Sequence, residues 1–323
     1  MGAVSQQSSF AREIDPERER LFGAAYGAGA YLLWGMLPIY FVLLMPTGPW
    51  EVVAWRILFS LVFCAILLTV VRGGWARVIG VLRNRAVVGW TVVAGLLIYV
   101  NWQAFLIATQ TGHVIESSLG YFINPIATVL LAVLVLKERV RPLQWAAIGI
   151  AAIAVVVIIV AYGAVPWIAL TLAASFGIYG LVKKQIGGAV DAVSGLTLET
   201  LWLVPIAVAQ LIVVAATSGI TLGQHGAAHT LLLAASGVAT AVPLLLFAAG
   251  ARRVTLTTIG LLQFIAPILQ FLTGVLVLHE PMPAERWAGF VIVWIACAVL
   301  VADMLREGRR SRRAAARQVP LAT

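Results

Sequence analysis

The sequence predicts an all-α integral membrane protein of ten transmembrane helices, arranged as two inverted five-helix repeats. Three observations predict it: the apolar composition, the length of the apolar runs, and a self-similarity at a fixed offset. Hydrophobic residues make up 62% of the 323 and charged residues 11%, with a mean hydropathy of +0.99. A soluble chain carries roughly 25% charged residues, so the surface implied here faces lipid. Runs of about 20 unalternated apolar residues fit helices, whereas barrel strands are short and alternate.

Taken in order, the apolar runs between polar breaks fall at 23–45, 51–71, 86–108, 115–136, 143–162, 165–183, 192–216, 229–250, 255–278 and 285–305. The segment before the first run holds Arg12, Glu13, Asp15 and Glu17 to Arg20. It lacks the basic region, apolar core and cleavage site of a signal peptide, so the first span is expected to be retained. Residues 1–20 then form an N-terminal segment, 21–162 and 163–305 the two repeats, and 306–323 a basic tail.

Basic residues orient the bundle. Arg72, Arg77, Arg83 and Arg85 follow span 2, and Lys137, Arg139 and Arg141 follow span 4. Lys183 and Lys184 close span 6, Arg252 and Arg253 follow span 8, and the tail carries Arg306 to Arg317. With ten spans these share one face with the N-terminal arginines. Only Arg286 lies opposite, with Arg56 inside span 2. Cytoplasmic loops carry this excess, which predicts a multi-pass inner-membrane protein with both termini cytoplasmic. The net charge of +9 is then orientation signal plus attraction to anionic headgroups. Charges so dispersed predict a lipid bilayer partner and no nucleic acid.

The stretch 118–145 aligns with 260–287 at an offset of 142, pairing Pro125 with Pro267, Phe122 with Phe264, Glu138 with Glu280 and Trp145 with Trp287. Between 119 and 154, sixteen of 36 positions are identical without a gap, against roughly one in ten by composition, so duplication is the better explanation. A unit of five spans places its second copy upside down, the architecture in which transporters hold substrate near the midplane between halves. Pro125 and Pro267 each free a carbonyl from its helical partner. They read either as paired breaks around a cavity or as packing kinks.

The stretches NWQAFLIATQTGHVIESSLGYFINP (101–125), WGMLPIY (34–40) and WRILFS (55–60) resemble the RarD-type permeases of the EamA family, within the drug/metabolite transporter superfamily. The resemblance runs from about residue 21 to 305, and LTLETLWLVP (196–205) is its best match in the second half. It implies ten helices in two inverted repeats, both termini inside, and an export role. The arginine-rich tail departs from it.

Ionisable groups within a membrane are functional candidates because each costs several kcal/mol when unpartnered. Arg56 lies about five residues into span 2, roughly 8 Å, as an anion or carboxylate site or as a snorkelling side chain. Its motif belongs to the resemblance. Glu199, about seven residues into span 7, is the candidate for proton coupling, with a structural carboxylate as the plain alternative. A direct Arg56–Glu199 pair requires both to reach the midplane. His113 and Glu116 open span 4 as a proton-responsive gate or a solvated helix start, with Glu116 favoured by the helix dipole.

Asn101, Gln103, Tyr121, Asn124 and Gln263 are uncharged candidates for substrate contact, or for interhelical hydrogen bonds of about 0.6–2 kcal/mol each. Trp34, Trp102 and Tyr179 read as stacking platforms or as interface aromatics. Cys64 and Cys297, each in an apolar run, predict no disulfide framework. His225 with His229, and His279 with Glu280, lack the further ligands of a zinc site. No GxxxxGK[ST] occurs. No metal, cofactor or enzymatic activity is expected, and the oligomeric state is left open.

The expected function is a secondary transporter exporting a small amphipathic metabolite or drug-like molecule, with a proton as the candidate coupling ion. Spans 1–4 and 6–9 would line the path while spans 5 and 10 brace it. A sensor or accessory subunit, docked through the basic tail, is one alternative. A membrane enzyme on lipid-linked substrates is another, although it would cluster His, Asp or Glu at one face.

Overall fold

The computed structural model describes residues 16–137, 140–163, 165–186 and 189–317. Glu138 and Arg139 of the repeat comparison therefore lie outside the described residues, as do 1–15 and 318–323 of the terminal segments. Among the described residues there is helix and no strand. The helices are α1 (Pro16–Val42), α2 (Pro49–Val70), α3 (Gly74–Leu82), α4 (Arg85–Gln110), α5 (Val114–Leu136), α6 (Pro142–Tyr162), α7 (Trp167–Ile186), α8 (Ala192–Thr217), α9 (Gly226–Ala251), α10 (Leu256–Leu262), α11 (Ile265–Leu272) and α12 (Ala284–Arg317).

Helices occupy all ten predicted stretches. Nine segments among the described residues are long and apolar enough to cross a membrane. The helix outside that set is α7, of 20 residues, whose last turn holds Lys183 and Lys184. Local chemistry sets the ends. Pro49 and Pro142 occupy first helical turns, where no amide partner is lost. Asn84 and Asp191 cap α4 and α8 through their side-chain oxygens. Gly163, at φ +72°, closes α6 in a left-handed conformation. Val70, Val160, Ile212 and Leu231 are exposed, which in a chain of this composition is a face for hydrocarbon.

Two elements differ from the sequence reading. The basic linker after span 2 contains α3, whose Val78 and Val81 pack with Leu68 and Leu198. The ninth span is broken: α10 ends at Leu262, α11 begins at Ile265, and a π-helical turn over Thr273–Val277 follows. Pro267 is the third residue of α11, just past the break. Its repeat partner Pro125 lies inside an α5 that runs on without interruption.

The packing partners are few and consistent. Helix α1 lies on α9 and α11, α2 on α8 and α9, α4 on α7 and α8, α5 on α7 and α11, and α6 on α12. One buried cluster fills the centre between α1, α2, α4, α7, α8 and α9, and a second joins α5, α6, α11 and α12. Small residues let backbones meet. A Cβ on Gly237 of α9 would lie 2.4 Å from the Phe59 carbonyl carbon of α2.

Candidate functional site

Arg56 sits seven residues into α2, about 10 Å along the helix, and is 3% exposed. It points into the bundle. Its Nε donates to Thr240 Oγ1 of α9 at 2.7 Å. Its guanidinium lies 4.2 Å from the Trp102 ring and 5.2 Å from the Phe41 ring. The hydroxyls of Tyr121 and Tyr40 lie close enough to act on its charge. No described carboxylate pairs with it, and Nη1 is buried with no hydrogen-bond partner. An arginine at the centre of a membrane helix costs about 2.5–3.5 kcal/mol on insertion scales. A desolvated cation–π contact returns about 2 kcal/mol, so the two rings and Thr240 hold the charge while leaving one edge unsatisfied.

Glu199 of α8 is 1% exposed. Its Oε1 accepts from Lys183 Nζ at 2.7 Å and its Oε2 from the Tyr179 hydroxyl at 3.1 Å, both on α7. Arg56 and Glu199 thus have separate partners. A ladder of rings joins their sites instead: Phe41, Phe105, Tyr121, Phe176 and Tyr179 follow one another with centroids 6.1, 5.8, 6.2 and 5.9 Å apart. Asn101 steadies the middle rung, accepting from the Tyr121 hydroxyl at 3.0 Å and donating to the Leu172 carbonyl and Ser175 Oγ of α7.

The other candidates make their contacts outside the ladder's ring pairs. Gln103 accepts from Gln210 of α8 at 2.9 Å, an interhelical bond. Asn124 is buried with its Oδ1 unpartnered, and a Cβ on Gly177 would lie 3.7 Å from that oxygen. Gln263 donates to the Gly260 carbonyl at the break between α10 and α11. Trp102 belongs to the site; Trp34 packs with Tyr31 and Phe247.

Three further carboxylates hold backbone amides, Glu116 and Glu280 at helix starts and Glu51 in the loop between α8 and α9, each reaching from one half to the other. Glu116 accepts from the Ile168 amide of α7 at 3.0 Å, so it serves the start of α7 in addition to lying in the first turn of α5. Glu280 accepts from the Val114 and Ile115 amides of α5 at 2.6 and 2.9 Å. Glu51 accepts from the Thr221 and Leu222 amides at 2.9 and 3.3 Å, and from Trp55 Nε1. His229 joins the same end, its Nε2 3.0 Å from both Thr47 Oγ1 and the Leu44 carbonyl. His113 contacts Thr111.

At the basic end the crossing contacts are of another kind. Arg77 meets Asp191 at 3.4 Å and Arg253 meets Glu19 at 3.3 Å, all four side chains at least a third exposed. Arg141 makes a bidentate contact with buried Asp303, joining α6 to α12. A cavity of about 900 Å³ opens beside Arg77, Asn84, Asp191 and Arg252. At the other end, an opening beside Glu116 and Arg286 measures about 170 Å³.

Comparison with known proteins decides the family. The EamA-like transporter family matches residues 21–160. Protein RarD of Streptomyces exfoliatus is 45% identical over 297 residues, covering 92% of this chain and 93% of that one. The chain is a RarD-type member of the EamA transporter family. Protein RarD of Escherichia coli is 37% identical, with 90% of this chain and 97% of that one covered. A Pseudomonas aeruginosa relative described as a chloramphenicol-sensitive protein is 30% identical over similar shares. One solved crystal structure superposes with a TM-score of 0.55 at 18% identity, covering 86% of this chain and 96% of that one, which shows a shared fold.

As a multi-pass RarD-type membrane protein, the chain brings to these sites residues that sequence reasoning missed. Lys183 read as an orientation charge, although its spacing of four from Tyr179 puts both on one face of α7. Thr240 and Phe41 gave no signal, because single hydroxyls and rings are common in membrane helices. Glu51 and Glu280 sit at span ends, where a carboxylate looks solvated until its amide donors from the other half are seen.

Proposed function

We propose that this RarD-type chain is a secondary permease that exports a small amphipathic molecule by alternating access between two inverted five-helix halves. The halves are residues 21–162 and 163–305, with α7 as the sixth of ten spans and both termini cytoplasmic. One observation carries the reading. Exchanging each helix for its repeat partner turns the packing of α1 on α9 into that of α7 on α4, and α5 on α7 into α11 on α1. The same exchange returns α2 on α8 and α6 on α12 to themselves. A two-fold relation in the membrane plane has this property, and it lets two halves rock about a shared site.

The ends of the bundle fit a state open toward the cytoplasm. Carboxylate-to-amide bonds lock the external end, whereas the basic end, apart from the Arg141–Asp303 contact between α6 and α12, has exposed ion pairs, worth about 0–1 kcal/mol each, beside the larger cavity. Glu199 is the proposed proton-coupling group. Its partners are two side chains of α7, so protonation releases Lys183 without unravelling a helix start. Glu51, Glu116 and Glu280 hold amides and lack that freedom.

The test compares extracellular metabolites from cells overproducing the wild-type chain and Glu199→Gln, with and without a protonophore. A metabolite exported by the wild type, and lost with either treatment, is expected. Export that survives the protonophore removes the proton-coupling assignment. The absence of any exported metabolite counts against the permease and favours the sensor reading.

A further inference from the structure

We propose that the Arg56 site takes a small amphipathic monoanion, a carboxylate on an apolar or aromatic body, whose negative charge is the counter-ion that the guanidinium lacks. The inference rests on the permease reading and names the substrate class of that path.

The asymmetry between the halves points to it. Phe41 and Lys183 are equivalent under the 142-residue offset, and Arg56 is within one position of the equivalent of Glu199. In the second half the pair is complete, Lys183 to Glu199 at 2.7 Å. In the first half a neutral ring takes the counter-charge position, and the guanidinium lies 5.2 Å from it. Arg56 is nine-tenths buried or more, with Nη1 unpartnered. A buried donor of this kind represents desolvation without compensation unless another molecule brings the acceptor.

The acceptor does not come from the described carboxylates near the path. Glu51, Glu116 and Glu280 are bonded to amides, Glu199 to Lys183, and Asp303 to Arg141. One uncompensated cation matches one negative charge. A dianion such as a phosphate monoester would leave its second charge unpaired in a low-dielectric interior. An amine or a zwitterion would find none of these described carboxylates free for its ammonium. The rings beside the guanidinium, Trp102 and Phe41 under its charge with Tyr121 and Tyr40 close by, would flank an apolar body brought by the anion. A planar carboxylate suits the unoccupied edge of a guanidinium better than a point charge would.

The test uses the full chain in lipid nanodiscs and three probes of one shape: phenylacetate, phenylacetamide and 2-phenylethylamine. Tryptophan fluorescence and melting temperature are the readouts, since Trp102 lies 4.2 Å from the guanidinium. Phenylacetate is expected to bind saturably, with the amide and the amine at least about tenfold weaker. Arg56→Gln should weaken phenylacetate by about 10- to 100-fold, the loss of one charge-assisted bond. Arg56→Lys should recover part of that affinity, because the ammonium lacks the planar fork. Equal binding of phenylacetamide, unchanged affinity in Arg56→Gln, or no saturable response to any probe would overturn the proposal. Counterflow in proteoliposomes separates it from the permease reading. Arg56-independent counterflow of phenylacetamide would leave the permease standing without the anion site. Arg56-dependent binding without counterflow would do the reverse.

Discussion

Glu280→Gln is expected to loosen the end of the bundle that the proposed orientation places outside. The carboxylate spans from the second half to the first turn of α5, accepting at 2.6 Å from Val114 and 2.9 Å from Ile115. A glutamine presents one acceptor oxygen and turns an NH₂ toward the other amide, so one bond is lost and the survivor loses its charge assistance. Hydrogen bonds to charged groups contribute about 1.5–3 kcal/mol, and a carboxylate at a helix N-terminus adds about 0.3–1 kcal/mol. The combined loss is about 2–4 kcal/mol, which shifts the closed-to-open ratio at this end roughly 30- to 700-fold. Ser117, fully buried on α5, reports it as Ser117→Cys in a chain with Cys64 and Cys297 replaced by alanine. A membrane-impermeant maleimide added outside intact spheroplasts should label the Glu280→Gln background faster, up to the limit of a free thiol. Unchanged labelling, in protein that remains monodisperse, would refute the assignment of Glu280 as a latch.

Lys183→Ala strands Glu199 as a buried unpaired charge. It should cost about 3 kcal/mol, the low end for a broken buried pair because Lys183 remains 30% exposed. Thermal melts should show Lys183→Ala/Glu199→Gln to be more stable than Lys183→Ala alone. Gly237→Ala drives a methyl to 2.4 Å from the Phe59 backbone. It should cost about 1–3 kcal/mol or more, seen as a lower melting temperature or loss of monodisperse protein. Burial works to raise the Asp191 carboxyl, but the hydroxyl and amide of Ser194, Arg77 and the Val193 amide outweigh it and hold its pKa below the ordinary value. A depressed folded-state pKa means a contribution present above the unfolded value and lost as pH falls through the folded one. Normalised amide exchange in the first turn of α8 should therefore accelerate below about pH 4, and Asp191→Asn should remove that pH dependence.

Periodic and compositional features were legible in the sequence because each is written many times over. The helices follow from runs of twenty apolar residues, and the likeness of the halves from sixteen identities in one stretch. Arg56 and Glu199 stood out because a charge in an apolar run is rare. Their partners were not legible. Thr240 is 184 positions from Arg56, and the amides that Glu51 and Glu280 hold belong to the opposite half. The ring ladder draws on α1, α4, α5 and α7, so no single stretch displays it. Span 9 reads as one apolar run, and its break between Leu262 and Ile265 leaves no mark in the hydropathy.

Helix α12 continues without interruption from Ala284 to Arg317, 34 residues or about 50 Å, whereas a bilayer core needs only about 30 Å. The surplus of roughly 20 Å is a stiff mast rather than a tether. A tilt of about 20° at the span, ordinary for membrane helices, swings its tip by roughly 7 Å. The end of α12 therefore works as a mechanical pointer, and a spectroscopic label placed there would read the attitude of the α6–α12 brace from outside the lipid.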